Sequence, residues 1–160
     1  MGGPLYIDDE KHEETDNFQK CSFKIDEVEY FSTENYYQCA KATNIEDREK
    51  IRFSGVGLSC WVLGAKIKKK KDWEMIKIEE MYKGNKAKFE QNPDLAEKLI
   101  SSNGKINKGN SSDFWNIWNA KILTRIRAEL RKTEEDLKVI DEIKFDMECY
   151  VNEKKKKKKK

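Results

Sequence analysis

The sequence predicts an α+β fold: a single, mainly helical domain with a small β element near its N-terminus. Three observations carry this. Met75, Ile78, Tyr82 and Phe89 recur at helical spacing between Asp72 and Gln91, with Met81 beside the stripe. Capping residues stand before further helical segments: Ser32 or Thr33, Asn44, Asn92 before Pro93, and Thr133 with Asp136. Cys21 to Tyr30 alternates apolar and polar residues around Asp26-Glu27, a short hairpin signal without a turn glycine. A chain of 160 residues suits one domain and not two.

In chain order, residues 1–16 are polar and acidic and are expected to form a flexible arm. The folded domain is expected over 17–150. After the hairpin, a first helix runs from Glu34 to about Ala42, and a second carries Ile45, Arg48, Ile51 and Arg52. Gly55 and Gly57 break the chain before a third helix, Leu58 to Ile67, buried by composition. Ser54 to Cys60 mimics half of a dinucleotide-binding fingerprint, but Cys60 replaces the third glycine and no convincing strand precedes it. It reads as a helix-to-helix turn. Lys68 to Lys71 forms a basic loop before the long helix at Asp72. Leu95, Leu99 and Ile100 face inward from the helix opened by Pro93. Ser101 to Ser112 is a polar loop, Ile117 to Arg131 is helical, and a last helix runs from Thr133 through Met147. Residues 151–160 are expected to be a disordered lysine-rich tail.

Composition narrows the chemistry. Charged residues make up 39% of the chain, but 17 aromatic rings can build a modest core. The net charge of +3 is carried by Lys154 to Lys160; without them the balance is 26 basic against 30 acidic residues. A mildly acidic body argues against a general nucleic-acid binder, while the tail keeps nucleic-acid contact open. The single histidine, His12, sits in a charged stretch unsuited to a triad or a His-rich metal site. Cys21, Cys39, Cys60 and Cys149 show no Cys-x-x-Cys spacing and read as reduced thiols. The longest uncharged stretch, Phe53 to Ala65, is 13 residues, too short to span a bilayer. The expectation is an intracellular, cytoplasmic protein without membrane contact, with the nucleus reachable through the lysine tail. Its chemistry must come from carboxylates, lysines, tyrosines or a thiol.

Glu34 and Lys41 are seven apart in one helix, so they share a face about 10 Å apart along the axis. Tyr37 and Gln38 lie between them. A carboxylate and an amine flanking a phenol can supply an acid, a base and a carbonyl-trapping nucleophile. Spacing alone favours the plainer reading, a solvated face with opposite charges. Asp113-Phe114-Trp115 with Trp118 sets a carboxylate among rings that could stack on a planar heterocycle, but composition favours the plainer reading, core packing beside a capping Asp.

These pieces stand in a recognisable order. Asn17-Phe18, Phe23-Lys24-Ile25-Asp26, and the run Tyr30 to Lys41 resemble the opening of the NADAR (YbiA-like) family. There the pattern reads approximately Ser-Asn-Phe, then Ser-x-Glu-His-Tyr-Phe-Gln-Ala-x-Lys. The likeness continues through Leu63-Gly64, Asp72-Trp73-Glu74, Met81, Lys86 to Asn92 and Leu95 to Leu99. It ends with Asp113-Phe114-Trp115, Ile122-Leu123 and Arg127, and covers roughly residues 17 to 131. Three departures stand out. Asn35 replaces the family's His, Trp61-Val62 and Ala65 replace basic residues around Gly64, and the glycine-rich loop after Trp115 is missing.

The resemblance implies a cofactor-free and metal-free N-glycosidase. Related members cleave ribosylaminopyrimidine phosphates, the early intermediates of riboflavin biosynthesis; others remove ADP-ribose from guanine in nucleic acid. A weakened ADP-ribose or NAD-binding module is the non-enzymatic alternative. By the same resemblance the catalytic residues are Glu34, Lys41 and Asp113. The substrate-binding residues are Asn17, Phe18, Tyr37, Trp73, Lys88 and Trp115. Glu34, Lys41, Trp73 and Asp113 are expected to line one pocket, with Lys41 partly buried and not paired to Glu34.

Overall fold

The computed structural model describes residues 3–107 and 109–159. Among the described residues, seven α-helices carry the fold, with two small antiparallel sheets beside them. Strands β1 (Leu5–Ile7) and β2 (Glu10–His12) form a hairpin, followed by a short 3-10 turn, Glu13–Thr15. A second hairpin joins β3 (Phe23–Ile25) and β4 (Val28–Tyr30). Then come α1 (Thr33–Ala40), α2 (Ile45–Arg52), α3 (Leu58–Lys66), α4 (Trp73–Gln91) and α5 (Pro93–Ser101). Strand β5 (Ile106–Asn107), α6 (Asp113–Arg131) and α7 (Glu134–Lys158) complete the chain. This is the α+β architecture expected from the sequence.

Three of the capping signals are used as read, while Asn92 stands at the N-cap of α5 without a side-chain cap bond, its amide donating to the Ser22 and Lys88 carbonyls. Ser32 Oγ accepts from the Asn35 N–H, Asn44 from Asp47, and Thr133 forms a reciprocal capping box with Asp136. Both hairpins turn without glycine. Asp8 and Asp9, like Asp26 and Glu27, take left-handed backbone angles between 49° and 67°. Aspartate tolerates this region because its short polar side chain bonds locally.

The N-terminal segment corrects the expectation of a flexible arm over 1–16. Residues 5–16 are built into the body. β1 pairs with β2 on one side and with β5 on the other, Ile7 opposite Ile106. Leu5 and Ile7 belong to the main core with Leu99, Ile122 and Leu123. Thr15 Oγ1 accepts from the Leu5 N–H and donates to the His12 carbonyl, closing the segment on itself. Two apolar residues, a partner strand from the 101–112 loop and buried threonine outweigh the acidic composition.

Three further elements differ. α7 continues past Met147 to Lys158, so Lys154 to Lys158 are helical, not disordered. Lysine is a good helix former, and four of the run lie in the last turn, where cations complement the helix dipole. α6 starts at Asp113 and its cap is Ser112. α3 is not buried all round: Leu58 is 65% exposed. Its inward side is made of small residues, Gly57, Cys60 and Gly64. A Cβ on Gly57 would meet the Phe18 ring at 3.0 Å, and one on Gly64 would meet Gln38 Oε1 at 2.0 Å. Glycine lets α3 approach α1, and the larger side chains turn outward.

α1 lies between two core clusters. Tyr37 packs with Trp73, Met81 and Trp115 on one side. Tyr36 and Cys39 pack with Phe23, Tyr30, Ile51 and Cys60 on the other. All of Thr33 to Cys39 are buried.

The packing of β1 generates a test. Leu5→Ala is expected to cost about 2–5 kcal/mol, the usual range for truncating a core leucine. Chemical denaturation measures it. A change near zero would return this segment to a loose arm.

Candidate active site on helix α1

Glu34 is the second residue of α1 and is 0% exposed. Its backbone N–H donates to the Asn17 carbonyl at 2.9 Å, which joins residues 17–18 to the helix start. Its Oε1 accepts from Gln38 Nε2, one turn on, at 2.6 Å. Asn35 points to the other side. Its amide donates to the Arg52 and Gly55 carbonyls and holds the α2–α3 turn.

Tyr37 continues the Glu34 side. Its ring lies 5.0 Å from Trp73 and 5.4 Å from Trp115, edge-on to the latter. Trp73 is the first residue of α4 and is 2% exposed. Lys41 is the C-cap of α1 and keeps helical angles, so the seven-residue spacing from Glu34 holds its geometry. Its Nζ sits 5.4 Å from the Tyr37 ring centre and 6.0 Å from that of Trp73. Lys41 forms no ion pair among the described residues. Burial pushes its ammonium below the ordinary lysine range; Glu34 pulls the other way, and Lys69 and Lys77 push with burial. Burial, followed by Glu34, raises the Tyr37 phenol far above its usual range, so it stays protonated. The basic loop is tied to this end: the Lys70 N–H donates to the Lys41 carbonyl at 3.0 Å, and Ala42 bridges to Lys69.

The structure therefore gathers Glu34, Tyr37, Lys41, Trp73 and Trp115 around one side of α1, with Asn17 at its start. The remaining expected residues stand apart from that group. Phe18 packs against Gly57 at the α3 N-terminus. Asp113 is exposed in the first turn of α6 and forms no ion pair among the described residues. It is not one wall of a common buried pocket with Glu34 and Trp73. Lys88, expected to bind substrate, is 0% exposed. Its Nζ donates to the Glu14 carbonyl at 2.7 Å and the Asp16 carbonyl at 3.0 Å. It fixes the 3-10 turn that leads into Asn17 and Phe18, and reaches the site through them.

A polar network under Glu34 was not foreseen. Asn85 Nδ2 donates to Asn17 Oδ1, and Asn17 Nδ2 to Asn119 Oδ1, both at 3.3 Å. Thr33 Oγ1 reaches Asn85 Oδ1 at 3.5 Å. The signal was present: Asn85 stands between Tyr82 and Phe89 on an apolar stripe, and Asn119 three residues before Ile122. An asparagine disfavoured by helix propensity and kept on a buried stripe has a partner to meet.

Lys88 offers a test with a definite sign. Burial pushes its ammonium down to about 8. Between about pH 8 and 10.5 the unfolded chain binds a proton that the folded chain lacks, so stability from this group rises with pH across that window. Lys88→Met leaves the buried Glu14 carbonyl without its donor, while the Asp16 carbonyl keeps the Gln19 N–H, and is expected to cost about 1–3 kcal/mol. The gap to the parent protein should widen from pH 7.5 to pH 10 in denaturant titrations. A gap that narrows would contradict the assignment.

The chain is similar to known proteins in fold and in domain family. The solution structure of the E. coli protein YbiA superposes with a TM-score of 0.66 at 24% identity, covering 74% of this chain and 77% of that one. This establishes the shared fold. No curated protein matches the chain. The model of the NADAR domain matches residues 5–132, a span that holds β1, the whole of α1, Trp73, Lys88 and α6, and the chain belongs to the NADAR domain family.

Proposed function

We propose that this protein is an N-glycosidase that cleaves the C1′–N bond of ribosylaminopyrimidine phosphates, releasing the aminopyrimidine and ribose 5-phosphate. One observation carries the reading. Glu34 and Lys41 sit seven residues apart on the aromatic side of α1, the carboxyl held by Gln38 and the amine biased toward its neutral form. Neither group needs such care on a solvated face.

The chemistry follows from the substrate's nitrogen. A ribosylamine opens when the C1′–O4′ bond breaks, O4′ takes a proton and C1′ becomes an imine carbon. Neutral Lys41 Nζ adds to C1′. Glu34 carries the protons that Nζ loses to the aminopyrimidine nitrogen, which leaves as an amine when the C1′–N bond breaks and the C1′=Nζ bond forms. The resulting lysine–sugar imine is hydrolysed by water, returning the amine and the free aldehyde of ribose 5-phosphate. Tyr37, Trp73 and Trp115 present ring faces and edges to the planar base. Lys68 to Lys71 supply the cations for the phosphate, and Asp113 is assigned to ribose hydroxyls at the rim. No helix among the described residues is long and apolar enough to cross a membrane, as suits a small charged substrate met in water.

A panel of purified substrates tests the reading. Aminopyrimidine and ribose 5-phosphate are expected from the riboflavin intermediates, and little turnover of ADP-ribosylated guanosine or NAD. Turnover of the guanosine conjugate alone would move the assignment to an ADP-ribosyl-guanine hydrolase. Binding without turnover would leave a recognition module.

Two substitutions test the roles. Glu34→Gln is expected to lower turnover about 100-fold or more with the fold intact. Lys41→Arg should be nearly inactive, since guanidinium supplies no neutral amine. Borohydride during turnover should attach the sugar to Lys41. The rate should rise with pH as Lys41 loses its proton, with a midpoint below 10.5, the ordinary lysine value. A fully active Lys41→Arg protein that traps no adduct would remove the imine route.

A further inference from the structure

We infer that Gln38 is a positioning residue for Glu34 and that Gly64 of α3 is its seat, so that the docking of α3 on α1 sets the aim of the acid/base carboxyl. The inference rests on the reading of Glu34 as that group. Gln38 lies one turn after Glu34 on the same side of α1 and is 1% exposed. Its Nε2 donates to Glu34 Oε1 at 2.6 Å, a short bond. Its Oε1 is buried and has no hydrogen-bond partner among the described residues. That oxygen lies against α3, where a Cβ on residue 64 would stand 2.0 Å from it and 2.8 Å from Gln38 Cδ. Only glycine leaves room for the amide there. The side chain is thus held at both ends, by the carboxyl and by the α3 backbone.

The chemistry of the holder matters. A lysine or arginine at this position would orient the carboxyl but also keep it ionised, which suits a fixed charge and not a group that must give and take a proton. A neutral amide orients it without adding charge. A polar oxygen left unpaired in a buried seat has a cost that packing alone does not explain. It is the cost of pointing the N–H at Glu34.

α3 is shaped for this task. Gly57, Cys60 and Gly64 fall at i, i+3 and i+7 on its inner side. Cys60 Sγ turns back to the Gly57 carbonyl at 3.0 Å, and the Ser32 hydroxyl donates to the Val56 carbonyl at 2.6 Å. The cap of α1 and the start of α3 are therefore bonded together. Gly64 is presented to Gln38 two turns further on.

Steady-state kinetics on the riboflavin intermediates, with melting temperatures alongside, test the inference. Gln38→Met keeps the length and removes the donor. It is expected to lower kcat about 10- to 100-fold, the effect of a misaimed catalytic group, with KM and melting temperature little changed. Gly64→Ala should lower kcat similarly by displacing Gln38. In a Gln38→Ala background two of the three short contacts at residue 64 are gone, leaving only Gln38 Cβ at 3.0 Å. There Gly64→Ala should cost less than about threefold more. If Glu34→Gln is inactive while Gln38→Met keeps kcat within twofold, Gln38 does not position Glu34. If the Gly64→Ala and Gln38→Ala losses multiply, the seat is wrong. If Glu34→Gln itself stays active, the acid/base reading fails, and this inference with it.

Discussion

The burial of α1 is the constraint on which the rest of the structure depends. An eight-residue helix is too short to be stable alone. Here its residues Thr33 to Cys39 are all buried, and four of them are polar or charged. Each must be met by another element. Asn17 meets the Glu34 N–H, Asn85 meets Thr33, α3 receives Gln38, and the α2–α3 turn receives Asn35. The surrounding elements are placed by these demands as much as by apolar packing. Leucine or isoleucine at the same positions would bury with less difficulty. A carboxyl and two amides there are buried at the expense of easy packing.

Much of this was legible in the sequence. The caps at Ser32, Asn44 and Thr133 and the stripe from Met75 to Phe89 are local signals, and the structure uses them locally. The pairing of Glu34 with Lys41 on one face follows from helix geometry alone. The first sixteen residues were not legible, for a physical reason. β1 is three residues long, and its order comes from β5, about a hundred residues away in sequence. Periodicity cannot register a strand of that length, and an acidic neighbourhood disguises two core side chains. Lys88 illustrates the complementary failure. A lysine in a block that resembles a functional motif suggests contact with substrate. In the fold it stays in the core and serves the main chain, donating to the Glu14 and Asp16 carbonyls. Motif position reports that a residue matters; only the bond partners show how.

Asp113 and Trp115 show how two residues of one motif separate. They are two apart at the start of α6, and a helix turns about 200° over that step. Trp115 therefore reaches Tyr37 while Asp113 faces water. The sequence places both near the site, but it cannot say which side of the first turn is presented inward. Ser112 decides this by capping the helix through the Trp115 N–H. The tryptophan is then fixed inward, with Phe114 packed edge-on to it and its ring 6.0 Å from Tyr150 of α7.

The cations near Lys41 have two effects that pull in opposite directions. Lys69 and Lys77 both push the Lys41 proton off, adding to burial. Glu74 holds both of them, at 3.5 Å and 2.7 Å. Under the proposed reading the same loop receives the substrate's phosphate. A dianion bound directly between Lys69 and Lys77 would cancel their push and bias Lys41 back toward the ammonium, against its proposed role as nucleophile. Under the proposed reading the phosphate is then met by other lysines of the exposed 68–71 loop, while Glu74 pairs with Lys69 and Lys77. The Lys70 N–H bonded to the Lys41 carbonyl fixes the loop by its backbone, and the Lys70 side chain borders the groove on the Tyr36–Cys39 side of α1. Anion binding and amine activation can then share one basic loop without interfering.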